Sequence, residues 1–146
     1  MSQKEILKML FEEHHRQYTS RWKSVSNSTN ATIATYILIT SWTLISKTPP
    51  TAEIKPFIIG FVTILASITS ISIIASIPNI KSIAQVIEKI NLALGLYEKG
   101  KYLDGESLYP DKWKNFGSRH HYSVVGNCIL IWCSCTLCIS AIYIRN

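Results

Sequence analysis

Two histidine pairs, His14-His15 and His120-His121, and four cysteines, Cys128, Cys133, Cys135 and Cys138, are the residues whose types could do metal or redox chemistry. Neighbouring positions on a helix point about 100° apart, so one His-His pair seldom chelates one ion. No carboxylate stands four residues beyond either pair to complete a metal site. The histidines read as interfacial or pH-sensing groups, and no metal or other cofactor is expected. Cys135 and Cys138 have the Cys-x-x-Cys spacing of thiol oxidoreductases, so disulfide transfer is one reading. Cysteine as a small, weakly polar residue that packs between membrane helices is the stronger one, since no second pair stands ready to exchange electrons. With no catalytic residues to name, an enzyme is not expected.

The elements that must position these residues are three long apolar blocks, 28–46, 56–77 and 124–144, none of which contains Asp, Glu, Lys, Arg or His. At about 1.5 Å per residue each gives roughly 28 to 33 Å of helix, close to a hydrocarbon core of about 30 Å. The chain is 47% hydrophobic and only 16% charged, and its charges collect between the blocks instead of alternating with apolar residues at helical spacing. That segregation predicts an all-α integral membrane protein with three transmembrane helices and cytosolic helical extensions that form a small bundle. The first 24 residues carry eight charged side chains between Lys4 and Lys23 and no apolar signal core, so the first span is expected to direct insertion itself.

Topology follows from the lysines and arginines, because short basic loops stay in the cytosol. Five precede the first block, two (Lys47, Lys55) fall in the 47–55 loop, seven lie in 78–123, and Arg145 follows the last block. A cytosolic amino terminus and an outside carboxyl terminus put twelve inside and three outside. The formal charge of +6 is then chiefly a topology signal and a match to anionic lipid, with nucleic-acid binding the weaker reading. The sequons at Asn27 and Asn30 would lie at the cytosolic interface and are discounted as glycosylation sites.

Residues 1–27 read as an amphipathic cytosolic helix, with Leu7, Leu10, Phe11, His14, Tyr18, Trp22 and Val25 recurring at three- and four-residue steps. No Pro or Gly interrupts 2–46, so one helix is expected from the cytosol through the membrane. Pro49-Pro50 forces a turn in the short outer loop, and blocks one and two form a tight hairpin. Beyond block two, Ile80, Ile83, Ala84, Ile87, Ile90 and Leu94 form a second stripe, with Pro78 expected to act as a hinge without ending the helix. Gly95, Gly100, Gly105 and Pro110 predict an exposed loop, and a third helix is expected from near Asp111.

The blocks hold many small and hydroxylated residues. Gly60, Thr63, Ser67 and Ser70 fall on one face of the second, and the first opens with Asn27, Asn30 and Thr32. Such faces serve close helix packing within and between subunits, or they line a wet pathway. Both uses predict a homo-oligomer, because three helices cannot enclose a channel. Proton-driven transport is disfavoured, since no block carries an acid or base. Lys99, Lys101, Lys112, Lys114, Arg119, His120 and His121 form a basic cytosolic region suited to receiving a signal from a sensor protein or a nucleotide.

A charged leader containing HHRQYTSRWKSVSNSTN, a hairpin of two spans and an amphipathic helix beyond it cover residues 5–98. This layout resembles the small multi-span membrane effectors of bacterial antiviral defence, the SLATT-type effectors among them, with Tyr18-x-x-Arg21-Trp22 as the one quotable string. The third span departs from a plain two-span effector. The resemblance implies an oligomer in the inner membrane that forms a pore or depolarises the membrane when a cytosolic partner signals infection. The competing expectation is a membrane anchor or accessory subunit that conducts nothing, and a thiol oxidoreductase is a minor third. The HEPN ribonucleases, in which an arginine is followed a few residues on by a histidine, are not matched, because no arginine here has a histidine at that distance.

Overall fold

In a computed structural model of the chain, residues 3–48, 50–111 and 120–145 are described. They form three helices, α1 (Gln3–Ile45), α2 (Lys55–Leu94) and α3 (His120–Ile144). The all-helical expectation is met, and the only bridge among the described residues is an isolated one between Leu103 and Glu106. The expected start of the third helix falls on 112–119, outside the described residues.

Helix α1 runs for 43 residues because nothing in it breaks a helix. It ends ahead of the Pro49-Pro50 pair, where the residue before a proline is pushed out of the helical region. The Thr51 carbonyl accepts the N–H groups of Ile54 and Lys55 and opens α2, whose second residue, Pro56, sits where a missing N–H costs nothing. Helix α2 continues for 40 residues and runs through Pro78.

The chain divides into two compact units, each containing part of α1 and part of α2. Unit 1 comprises 1–23 and 76–123. Its core is the stripe foreseen on α2: Ile80, Ala84, Ile87 and Ile90 are buried, joined by Asn91 and Tyr97. The facing stripe of α1 is half-buried at Leu7, Phe11, His14, Tyr18 and Trp22, whereas Leu10 is exposed. Helix α2 closes on Gly95 (φ +71°): the Gly95 N–H donates to the Leu92 carbonyl at 2.9 Å and the Leu96 N–H to Asn91 at 3.1 Å. This paired closure satisfies two of the carbonyls a helix end leaves open. The Tyr102 hydroxyl donates to a third, that of Leu94, at 2.7 Å. The Tyr109 N–H donates to the Leu96 carbonyl, and the Tyr97 and Tyr109 rings meet edge to face at 5.9 Å. Gly95→Ala puts a Cβ in the left-handed region and against the Lys101 side chain. A loss of about 1 kcal/mol is expected, read as a lower thermal midpoint in detergent.

Unit 2 comprises 24–75 and 124–146. Buried positions on its α1 segment are Val25, Thr29, Thr32, Tyr36 and Thr43; on α2, Val62, Ala66, Thr69, Ser70 and Ile73; on α3, Val124, Ile131, Cys135, Cys138, Ala141 and Ile142. On α1 these fall at steps of four, three, four and seven residues, and on α3 the run Val124, Ile131, Cys135, Cys138 at steps of seven, four and three, the spacing of helices that wind round one another in a left-handed sense. Two of the three helices, α2 and the 23 residues Tyr122–Ile144 of α3, are long and apolar enough to cross a membrane. Only 28% of the most apolar window of each is buried, whereas the core helix of a soluble protein would be mostly covered. Helix α1, with its alanines, threonines and asparagines, falls short of that measure.

Candidate functional site

The most chemically specific part of unit 2 is a seam of hydroxyl groups between α1 and α2. Thr32 and Thr69 share a hydrogen bond of 3.0 Å, and Thr69 also donates to the Leu65 carbonyl of its own helix. The Tyr36 hydroxyl donates to the Val62 carbonyl at 2.9 Å, and the Cys135 thiol approaches the same oxygen from α3 at 3.8 Å. All three helices therefore meet at one backbone acceptor. Thr29 and Thr43 turn their hydroxyls back onto the carbonyls of Val25 and Ile39, four residues earlier. Ser70 is buried and its hydroxyl has no hydrogen-bond partner.

A second cluster ties one end of the unit together. The Arg145 guanidinium donates to the Thr43 carbonyl at 3.0 Å and to the Ser46 carbonyl, at the carboxyl-terminal end of α1. There the helix dipole and the unpaired carbonyls favour a cation. Lys55, which opens α2, donates to the carbonyl of Arg145 at 3.1 Å. Two cations and three carbonyls thus join the ends of three helices at one level.

The residues singled out in the sequence distribute unevenly. Ser70 is buried in the seam, and Gly60, Thr63 and Ser67 lie half-buried on its flank. The Thr63 and Ser67 hydroxyls donate to the Ile59 and Thr63 carbonyls, and a Cβ added at Gly60 would meet nothing within 4 Å. Gly60 is therefore not a point of close helix approach within one protomer. Asn27 and Asn30 are exposed, and the buried face of α1 is carried instead by Thr29 and Thr32, because each residue turns the helix by about 100°. The sequence reading passed over Tyr36, Thr69 and Arg145. The 29, 36, 43 repeat, at seven-residue intervals, was the available signal for Tyr36.

The four cysteines are free thiols; Cys135 and Cys138 are buried and Cys133 is exposed. In the basic region, Lys99 is exposed and Lys101 pairs with Glu98 at 2.9 Å. Lys112, Lys114 and Arg119 lie outside the described residues, and His120 and His121 are described only as the backbone that opens α3. A groove in unit 1 is lined by Lys4, Leu7, Leu94, Lys101 and Tyr102, with the Lys4 ammonium 5.9 Å from the Tyr102 ring centroid. On the exposed side of the leader, the Gln17 amide and the Arg16 guanidinium hold the Glu13 carboxyl below its ordinary range. Burial pushes the Tyr18 phenol up. Among the described residues no group of histidine, cysteine and carboxylate side chains could hold a metal.

No family model matches the chain, and neither a curated protein nor a solved structure matches it.

Proposed function

We propose that the chain is an integral membrane protein whose three helices each cross the bilayer once. On this reading it works as a homo-oligomeric effector that forms a pore or depolarises the inner membrane, in antiviral defence, when a cytosolic sensor protein or nucleotide engages its basic half. The observation that carries the reading is the inverted polarity of unit 2. Its exterior presents Leu38, Phe57, Ile64, Ile68, Ile129 and Leu137, each more than half exposed, while its interior holds Thr29, Thr32, Thr43, Thr69 and Ser70. Water would sort those residues the other way; lipid tails sort them this way, because hydroxyls need protein partners in hydrocarbon. Trp42, Phe57 and Tyr143 are exposed near the level where Lys55 and Arg145 meet the end of α1, the arrangement of an aromatic and cationic border at a lipid headgroup region.

An oligomer is supported by the half-buried strip Gly60, Thr63 and Ser67, over which nothing in the protomer closes at Gly60. The same strip lends weight to a second reading, a non-conducting anchor or accessory subunit. The Thr63 and Ser67 hydroxyls are satisfied by their own helix and need no water, so the strip suits protein packing as well as a wet wall. The buried Cys135 thiol lies 3.8 Å from the Val62 carbonyl, which supports packing over redox chemistry.

The deciding measurement is the mass of the purified protein in mild detergent, by light scattering with the detergent subtracted. The effector reading expects one assembly of four or more copies. A monomer or dimer overturns the pore and leaves the anchor.

A further inference from the structure

We infer that the first span is conditional: residues 28–46 of α1 are held in the bilayer by the hydroxyl seam to α2 and the Arg145 clamp to α3, and their own hydropathy is insufficient. The inference rests on the membrane reading above and adds which element of the bundle is free to leave it.

Three observations converge. Helix α1 alone among the three, though 43 residues long, falls short of the apolarity a membrane crossing requires. Its polar groups are turned inward, with Thr29, Thr32, Tyr36 and Thr43 all buried, and two of them bond to α2 through Thr69 and the Val62 carbonyl. At its far end, the carbonyls of Thr43 and Ser46, which lipid would leave unsatisfied, are taken by Arg145. Away from the bundle, Thr29 and Thr43 keep the bonds to their own helix, but the Thr32 and Tyr36 hydroxyls lose their partners on α2 and the Thr43 and Ser46 carbonyls lose Arg145, which is costly wherever hydrocarbon replaces them. Packed against α2 and α3, the same segment shows lipid Ile37, Leu38, Trp42 and Leu44. Insertion of α1 and its pairing with α2 are therefore one event. A ligand that weakens the pairing releases the whole segment, so the seam is a two-state element that such a ligand can bias.

The test uses the full chain with an epitope at the amino terminus, expressed in bacterial cells converted to spheroplasts and treated with protease from outside. If α2 and α3 stay in place and α1 leaves the bilayer, the amino terminus must stand outside. Ala66 of α2 is fully buried against the seam, and Ala66→Phe forces bulk into it while making α2 more apolar and leaving α1 unchanged. About a tenfold rise in the ratio of cleaved to protected epitope is expected. Ile64→Leu, at a lipid-facing position of the same helix, should leave the epitope protected. Adding Ala31→Leu and Ala34→Leu, at exposed positions of α1, to Ala66→Phe should restore protection by raising the segment's own apolarity, which a merely misfolded protein would not do. Protection that persists in Ala66→Phe, or exposure that the two leucines do not reverse, overturns the inference while the membrane reading stands. A wild-type chain that carbonate washes from the membrane fraction overturns both.

Discussion

Arg145→Ala is expected to lower the thermal midpoint of the detergent-solubilised protein by roughly 4 to 8 °C, the equivalent of about 2 kcal/mol in a chain of this size. The guanidinium makes two charge-assisted bonds to carbonyls at the end of α1, and each such bond is worth about 1.5 to 3 kcal/mol where water is excluded. Arg145 is only half-buried, so the smaller part of that range is the appropriate sum. Loss of the guanidinium also leaves the Ser46 and Thr43 carbonyls without their cation. Arg145→Lys should recover part of the loss, because an ammonium supplies the charge but cannot span both carbonyls as a planar fork does. Melting curves of the three proteins, followed by helical circular dichroism, decide it. Identical midpoints would mean that the clamp is decoration.

The largest expected effect concerns conduction. In liposomes, Thr63→Leu combined with Ser67→Leu should cut ion flux roughly tenfold or more, because a wetted wall that loses its hydroxyls becomes a hydrophobic constriction. Both side chains are half-buried and their hydroxyls bond only to their own helix, so the double variant breaks no hydrogen bond between α1 and α2. Its melting temperature should therefore stay close to the wild type, and its assembly mass is measured alongside, so that a loss of flux is read only from a correctly assembled variant. Unchanged flux in a correctly assembled double variant would place the pathway elsewhere. Absence of flux from the wild type would favour the anchoring role, in which the same strip serves to hold a neighbour.

The helical class and the stripes were legible because they depend on local rules. The unbroken run from Gln3 to Ile45 follows from the absence of Pro and Gly, and the burial of Ile80, Ala84, Ile87 and Ile90 follows from their spacing. What the spacing could not fix was which of several similar faces meets which partner. On α2 the face Gly60, Thr63, Ser67 is richer in small and polar groups, yet the buried face is its neighbour, Val62, Ala66, Thr69 and Ile73. The two faces are offset by one or two residues, and only the mutual fit of three helices selects between them. On α1 the same ambiguity put Asn27 and Asn30 forward beside Thr32 and passed over Thr29. Bonds such as Arg145 to Ser46 join positions 99 residues apart and are invisible to any local pattern. The Val62 junction is harder still, because its acceptor is backbone and carries no residue signature.

Helix α2 is a single element of 40 residues, about 60 Å long at 1.5 Å per residue, or about twice the hydrocarbon thickness of a bilayer. Bilayers that thin or thicken by a few ångströms change the tilt of the helices they hold. Within α2, Pro78 has no N–H to give the Ile74 carbonyl, so one helical bond is absent there. On the proposed membrane reading, a thinning bilayer would be felt at that position as a change of bend, without any ligand at all.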